Sequence, residues 1–139
     1  KDGFAADITR TFFVQDVSDE GREVYDTVLR ANKAGFVACR PGATAHDIDD
    51  AVISVLEASP FADRIRTKTG HGLGRDVHEA PYIMRGNHQK ILPGMVWTNE
   101  PGLYALESFG VRIEDDVLVT ADGCRSLTHF PKELTIIGR

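Results

Sequence analysis

Hydrophobic and polar positions follow a helical period early in the chain and an alternating, extended pattern later. The pattern opens with residues 8–14 (ITRTFFV), whose β-branched and aromatic side chains predict a strand. Two stretches with apolar residues at helical spacing follow, and each predicts an amphipathic helix with one face for a sheet. These apolar residues are Val24, Val28, Ala31 and Gly35 in the first stretch, and Ile48, Ala51, Val52, Val55 and Leu56 in the second.

Local signals predict where both helices begin. Ser18 offers a side-chain oxygen as an N-cap, and Asp19 and Glu20 place negative charge in the first turn, where the helix dipole favours it. We expect this helix to continue to about Cys39, because an Arg-Pro-Gly sequence follows. Residues 44–47 (TAHD) resemble a capping box in which aspartate replaces the usual glutamate or glutamine.

From Thr67 onward the sequence is typical of strands and turns. Strands are predicted over residues 95–100 and 111–120, and residues 121–123 (ADG) predict a hairpin turn after the second one. The glycines of residues 70–74 (GHGLG) allow the backbone to approach a ligand closely or to adopt unusual dihedral angles. One strand, two helices and several further strands, in that order, predict an α+β fold.

The length of 139 residues fits a single domain, and the shares of hydrophobic (42%) and charged (27%) residues predict a packed core. No apolar run approaches the roughly 20 residues that a membrane helix requires. We also expect no cleavable signal peptide, because the first 14 residues carry the charges of Asp2, Asp7 and Arg10. We therefore expect no membrane partner.

The net charge of −5 comes without a basic stripe, which argues against nucleic acid as a partner. Cys39 and Cys124 are too few and too far apart for a disulfide framework or a cysteine-ligated zinc site. We interpret both as small apolar fillers. This cysteine usage predicts a reducing, cytoplasmic location.

Four polar residues are candidates for chemistry because of their surroundings. His71 lies within the glycine-rich segment, Glu100 ends an apolar strand, and Asp7 follows two alanines. The fourth is Glu114, which period-two alternation within residues 111–119 places on one face with Arg112 and Asp116. An edge strand with a solvated face would produce the same alternation, and a single histidine is more often a surface or core residue than a ligand.

Together, Asp7, Glu100, Glu114 and His71 would supply three carboxylates and one imidazole. Such an oxygen-rich set suits hard or borderline divalent ions such as Mn²⁺, and it tolerates Co²⁺ or Zn²⁺. Carboxylates can also bridge two ions, as in two-metal hydrolases. Spacing alone does not establish that the four residues meet.

Four segments in one order resemble the Xaa-Pro peptidases, the prolidases and aminopeptidases P of the pita-bread metallopeptidase family. The segments are residues 7–12 (DITRTF), 70–79 (GHGLGRDVHE), 99–104 (NEPGLY) and 110–116 (GVRIEDD). The resemblance covers nearly the whole chain. It implies the second half of a pita-bread fold, with a curved, mostly antiparallel sheet and two amphipathic helices.

The resemblance also implies roles for individual residues. Asp7, His71, Glu100 and Glu114 match four of the family's five metal ligands, which hold two divalent ions. Glu100 would in addition carry a proton from the attacking water to the leaving amine, as one catalytic residue.

A second group of residues is expected around these ligands. His78 would be catalytic by hydrogen bonding to the substrate carbonyl or its tetrahedral intermediate. Arg112 and Tyr104 match residues that hydrogen-bond around a metal-ligating aspartate. Tyr82 stands where some prolidases place an arginine for the substrate carboxylate, so we expect it to contact the substrate. Arg85 is either a replacement for that arginine or a solvated surface charge.

The chain also departs from the family pattern. The fifth ligand, an aspartate, belongs on a strand that precedes residue 1, and Asp2 points to the opposite face from Asp7. We therefore expect residues 1–139 to form a single, partial catalytic domain that lacks its N-terminal half. Metal binding should be weakened, most severely at one ion, and the isolated chain should have little or no activity.

The expected function is metal-dependent hydrolysis of Xaa-Pro bonds in proline-containing peptides, with Mn²⁺ preferred. Thr67 occupies a position where aminopeptidase P tends to have histidine, which favours a dipeptidase, whereas Tyr82 weakens that argument. Two alternatives remain: a metal-free pita-bread binding or scaffold protein, and a creatinase-like amidinohydrolase. A homodimer also remains open, because an open sheet edge invites pairing.

Overall fold

The computed structural model describes residues 2–138 and has the predicted α+β composition. Its helices are α1 (Asp19–Ala38) and α2 (Ala45–Glu57), with a 3₁₀ turn at Ala62–Arg64. Its strands are β1 (Phe12–Val14), β2 (Gly70–Gly72), β3 (Glu79–Ile83), β4 (Val96–Asn99), β5 (Gly102–Tyr104), β6 (Gly110–Arg112), β7 (Asp115–Val119), β8 (Cys124–Ser126) and β9 (Thr135–Ile137).

Antiparallel pairing dominates the sheets of residues 2–138. The largest sheet has five strands in the order β3-β2-β4-β7-β8. A separate antiparallel pair joins β5 to β6, and β1 pairs with β9 in parallel. Strand β4 therefore lies at the centre of the five-stranded sheet, between β2 and β7.

The predicted capping signals are confirmed at both helix starts. The Ser18 hydroxyl accepts a hydrogen bond from the Gly21 amide at 3.1 Å. The Thr44 hydroxyl accepts from the Asp47 amide at 3.1 Å, while the Asp47 carboxylate accepts from the Thr44 amide at 2.8 Å. Aspartate therefore replaces glutamate in a complete capping box.

The apolar faces of the helices form two buried clusters. One joins both helices to the β5–β6 pair and contains Val28, Leu56 and Val111. The other contains Trp97, which is fully buried on β4. The helices therefore pack against the strands.

None of the helices within residues 2–138 has the length and hydropathy needed to cross a bilayer.

The strand predicted over residues 8–14 is wrong in its extent, because only Phe12–Val14 is extended in a ladder. Before it, Thr9 forms an isolated bridge with Glu114. The Thr11 hydroxyl bonds to both the amide and the carbonyl of Arg112, each at 3.1 Å, so a side chain takes the place of strand pairing there.

The single strand predicted over residues 111–120 is also wrong, because it is divided into β6 and β7. Ile113 and Glu114 lie in the break, where the Glu114 amide donates to the Thr9 carbonyl at 3.1 Å. The edge-strand interpretation fails too, since β7 has neighbours on both sides and Glu114 and Asp116 are only 2% and 8% exposed. The polar face of this segment points into the molecule.

Both cysteines pack in the second cluster, as expected for small apolar fillers. Cys39 is buried and caps the end of α1, and Cys124 lies at the start of β8. The Cys124 thiol donates to the Phe36 carbonyl at 3.2 Å, and hydrogen bonding between the two thiols with burial raises the pKa of Cys39.

Candidate metal centre

Three ligand-type side chains meet at one end of the five-stranded sheet. His71 is on β2, Glu100 directly follows β4, and Glu114 lies in the break between β6 and β7. One ligand atom from each lies within 4.8 Å of the other two, and His71 Nε2 is 3.1 Å from Glu100 Oε1. The fold thus brings together residues that are far apart in the sequence.

A second group shares His71. Ligand atoms of Asp7, His71 and His78 also lie within 4.8 Å of one another, and Asp7 Oδ2 is 3.8 Å from His71 Nε2. The backbone amide of Asp7 donates to Asp116 Oδ2 at 3.2 Å, which fixes this segment against β7. Asp7, His71, Glu100 and Glu114 are called the carboxylate–imidazole cluster below.

His71 has a defined orientation. It is 1% exposed, and its Nδ1 is 3.0 Å from the Gly72 carbonyl oxygen. Because a carbonyl can only accept, Nδ1 carries a proton, and Nε2 faces the carboxylates. This is the arrangement in which a ligating histidine is held by a carbonyl group.

Glycine at two positions allows the strands around His71 to approach one another. A Cβ on Gly70 would lie 1.6 Å from the Thr98 carbonyl oxygen, and one on Gly72 would lie 2.4 Å from the Ala80 carbonyl oxygen. The sequence pattern suggested a close approach to a ligand or unusual dihedral angles. In the structure, both glycines are required by neighbouring strands.

Within residues 2–138, the carboxylates of the cluster have one ion pair with a lysine or arginine, and it is long. Burial raises the pKa of Glu114; the hydrogen bond from Thr9 lowers it, but Glu100 and Asp7 raise it further. This partner is Arg112, whose Nε lies 3.8 Å from Glu114 Oε2 and whose side chain is 40% exposed. A divalent cation would offset this repulsion, so the donor set fits a metal ion.

Arg112 and Tyr104 lie beside the cluster, on paired strands. Arg112 Nε donates to the Thr9 hydroxyl at 3.1 Å. Burial lowers the pKa of Arg112, but Tyr104, Glu114 and Glu100 outweigh it, so the pKa is raised and the guanidinium stays charged. Gly102 leaves room for the Tyr104 hydroxyl, which would be 2.4 Å from a Cβ there.

The residues expected near a substrate lie on the exposed side. The ring centroids of His78 and His71 are 4.0 Å apart, and His78 is exposed. Tyr82 pairs with His71 across β2 and β3, is 42% exposed, and has Lys68 Nζ 5.6 Å from its ring centre. Arg85 is instead held by Glu57 at 2.7 and 3.0 Å and by Asp50 at 3.1 Å.

Two residues of the site were missed by sequence reasoning. The Thr9 hydroxyl donates a short hydrogen bond to Glu114 Oε2, and Asp116 holds the Asp7 amide. Period-two alternation gave a signal for both, because Thr9 follows Asp7 by two residues and Asp116 follows Glu114 by two. Asp2, in contrast, lies in an exposed turn.

The architecture is that of the pita-bread fold, seen in solved structures of similar proteins. The dipeptidase PepE from Mycobacterium ulcerans superimposes with a TM-score of 0.96 at 39% identity, over 99% of this chain and 37% of that one. An Xaa-Pro dipeptidase from Bacillus anthracis gives a TM-score of 0.94 at 38% identity, over 97% of this chain and 37% of that one. The fold class expected from the sequence is therefore confirmed.

Residues 1–121 match the family described as metallopeptidase family M24, and the chain belongs to that family. The uncharacterized peptidase YqhT from Bacillus subtilis is 42% identical over 135 residues, which make up 97% of this chain and 38% of that protein. The chain thus spans less than two-fifths of the length of the relatives that it matches.

Proposed function

We propose that this chain supplies the metal-binding and proton-transfer residues of a peptidase that hydrolyses Xaa-Pro bonds. The observation that supports this proposal best is the convergence of the carboxylate–imidazole cluster. The names of similar proteins support the same substrate class, since the Bacillus anthracis relative is an Xaa-Pro dipeptidase. The location that we propose is the cytoplasm.

Asp7, His71, Glu100 and Glu114 would hold two divalent ions. Mn²⁺ is preferred because three of the four side chains offer carboxylate oxygen, while the single imidazole also allows Co²⁺ or Zn²⁺. The chemistry available from two such ions is polarisation of a carbonyl group and a lower pKa for a water molecule. A metal-free binding protein or a creatinase-like enzyme is disfavoured, because uncompensated carboxylates would then repel one another without benefit.

Glu100 is the proposed proton carrier. Its Oε1 already accepts a hydrogen bond from the Thr98 hydroxyl at 3.0 Å and lies 3.1 Å from His71 Nε2, which orients the carboxylate. Glu100 would accept the proton of the attacking water and donate it to the proline nitrogen of the leaving group. Its side chain is 14% exposed, so it can reach a substrate at the surface of the cluster.

His78 and Tyr82 form the proposed substrate side of the site. His78 is exposed beside His71, so its ring can donate a hydrogen bond to the carbonyl oxygen of the bond that is cut. Tyr82 offers an exposed ring close by. Because the amide before proline has no N–H group, recognition must depend on ring shape.

The test compares Glu100→Gln with Glu107→Gln in the whole protein, on an Ala-Pro dipeptide in the presence of Mn²⁺. Glu107 is an exposed control in a loop. We expect turnover to fall by about 10²–10⁴-fold for Glu100→Gln and to stay unchanged for Glu107→Gln. Near-native turnover of Glu100→Gln would refute its role, and no Mn²⁺-dependent cleavage by wild type would refute the function.

Metal binding by residues 1–139 alone provides a separate test. Four of the five family ligands have counterparts here, so we expect calorimetry to detect weak Mn²⁺ binding, at most one tight site, and little or no peptidase activity. Two tight sites in this chain would contradict that expectation. In the whole protein, Ala-Pro compared with Ala-Pro-Ala separates dipeptidase from aminopeptidase specificity, and Ala-Ala tests the requirement for proline.

A further inference from the structure

We propose that Asn32 of helix α1 is a positioning residue that fixes the spacing between Glu100 and Glu114. This inference rests on the proposed function, in which both glutamates bind metal. Asn32 touches neither glutamate side chain in any hydrogen bond of residues 2–138; it acts through the backbone on either side of them.

The β4–β7 ladder ends where the two glutamates begin. Its last pair is Asn99 and Asp115, and the glutamates lie just beyond that pair: Glu100 follows Asn99, and Glu114 precedes Asp115. Pairing resumes between Gly102 and Arg112, and in between the Ile113 amide donates to the Pro101 carbonyl at 3.3 Å. Because two carboxylates placed opposite each other repel, keeping a fixed distance requires a second connection between the two segments, on the side of Asn99 and Asp115.

Asn32 provides that connection. Its amide nitrogen lies 3.2 Å from the Asn99 carbonyl, 3.2 Å from the Ile113 carbonyl and 3.2 Å from Asp115 Oδ2. Asn99 precedes Glu100, while Ile113 and Asp115 flank Glu114. A single amide group on the helix thus bonds to both glutamate-bearing segments.

The orientation of the Asn32 amide is itself fixed. Lys132 Nζ donates to the side-chain oxygen Oδ1 of Asn32 at 2.9 Å. The Asn99 side chain donates to the backbone carbonyl of Asn32 at 2.7 Å. Asn32 is fully buried, so no water competes for these bonds. Because the ammonium group holds the oxygen, the nitrogen must face the strand ends.

The experiment compares Asn32→Leu with Thr27→Val. Leucine keeps the approximate volume and removes the hydrogen bonds. Thr27 is a matched control, because it is equally buried on α1 but its hydroxyl bonds only within its own helix, to the Glu23 carbonyl and to Arg30. Two measurements on the whole protein follow: Mn²⁺ affinity by calorimetry, and amide hydrogen exchange without metal.

We expect Asn32→Leu to weaken Mn²⁺ binding by about 10–100-fold and Thr27→Val to leave it unchanged. The amides of Glu100 and Glu114 bond to the carbonyls of Thr69 and Thr9. Their exchange should accelerate selectively in Asn32→Leu, relative to other amides of the sheet. Equal affinities of Asn32→Leu and wild type, or uniform acceleration across the sheet, would overturn the proposal.

A second variant covers the case in which Asn32→Leu does not fold. Lys132→Met removes the donor that holds Asn32 Oδ1 and keeps the apolar stem of the side chain; it also removes the contact of Lys132 with Asp115, which Arg10 still pairs. It should accelerate exchange at Glu100 and Glu114 in the same selective manner, and no acceleration would count against Asn32. Wild type that binds no Mn²⁺ would refute the metal site alone, because the exchange result would still decide the role of Asn32.

Discussion

The hydroxyl group of Thr9 donates to Glu114 and accepts from Arg112 at the same time, so it links a buried carboxylate to the nearest cation. Arg112 itself remains 3.8 Å from Glu114. Thr9 therefore orients Glu114 without neutralising it, which leaves the charge of the carboxylate available to a metal ion.

Thr9→Val should weaken Mn²⁺ binding by about 10–100-fold, because it removes the hydrogen bond that orients Glu114. Thr11→Val is the matched control, since the Thr11 hydroxyl bonds only to the Arg112 backbone. Calorimetric titration of both variants in the whole protein measures the difference. Equal affinities for the two variants would show that the Thr9 bond is not needed.

Arg10→Met should lower the free energy of unfolding by about 1.5–3 kcal/mol, because it removes the ion pair with Asp115 and the hydrogen bonds to the Thr9 and Glu114 carbonyls, although Lys132 still contacts Asp115. The Arg10 and Asp115 side chains are 2.7 Å apart, and 5% and 1% exposed. Lys132→Met should cost less, since Lys132 is 29% exposed and Arg10 would still neutralise Asp115. Urea unfolding without metal tests this order, and the reverse order would contradict it.

Alkaline pH should destabilise the protein through Tyr25. Its buried hydroxyl donates to the Lys132 carbonyl at 3.2 Å, and burial raises its pKa above the ordinary 10.0, although Arg10 opposes the shift. The unfolded chain therefore loses this proton first. Stability is retained below pH 10.0 and falls as the pH rises from there towards the folded-state pKa.

Tyr25→Phe should remove this part of the alkaline loss, at a cost of about 1 kcal/mol at neutral pH for the lost hydrogen bond. Tyr82→Phe, at an exposed position, should keep the wild-type slope. Unfolding free energies measured between neutral pH and pH 11 or so compare the slopes. An unchanged slope in Tyr25→Phe would assign the loss to other groups.

Gly70→Ala should destabilise the fold by about 3 kcal/mol, because a methyl group there overlaps the Thr98 carbonyl and forces β2 away from β4. Gly123→Ala is the control, since no atom lies within 4 Å of a Cβ at that turn. Thermal unfolding without metal compares them. Similar midpoints would mean that the two strands can separate at little cost.

The helices could be predicted because their signals are local. Ser18 and Thr44 cap by contacts within three residues, and the apolar period needs no knowledge of the partner surface. The break between β6 and β7 could not be predicted in this way. Alternation continues unchanged through Ile113 and Glu114, and the bridge to Thr9, distant in sequence, divides the strand.

The cluster was predicted by resemblance, whereas its supporting residues required the structure. Asn32 follows Val28 by four residues and precedes Gly35 by three, so helical periodicity places it on the buried face. A buried amide requires partners, but the period does not identify them. Those partners depend on where β4 and β7 end, which is a property of the tertiary fold.

The Arg10 guanidinium also bonds to the carbonyls of Phe130 and Pro131, both at 2.8 Å, next to the Lys132 that supports Asn32. The tail after β8 therefore belongs to the scaffold beneath the cluster, although it contributes no ligand to it. Limited proteolysis within that tail would detach Lys132 from Asn32 and Asp115. Such a cut would remove support from the carboxylate–imidazole cluster while all four of its side chains remained intact.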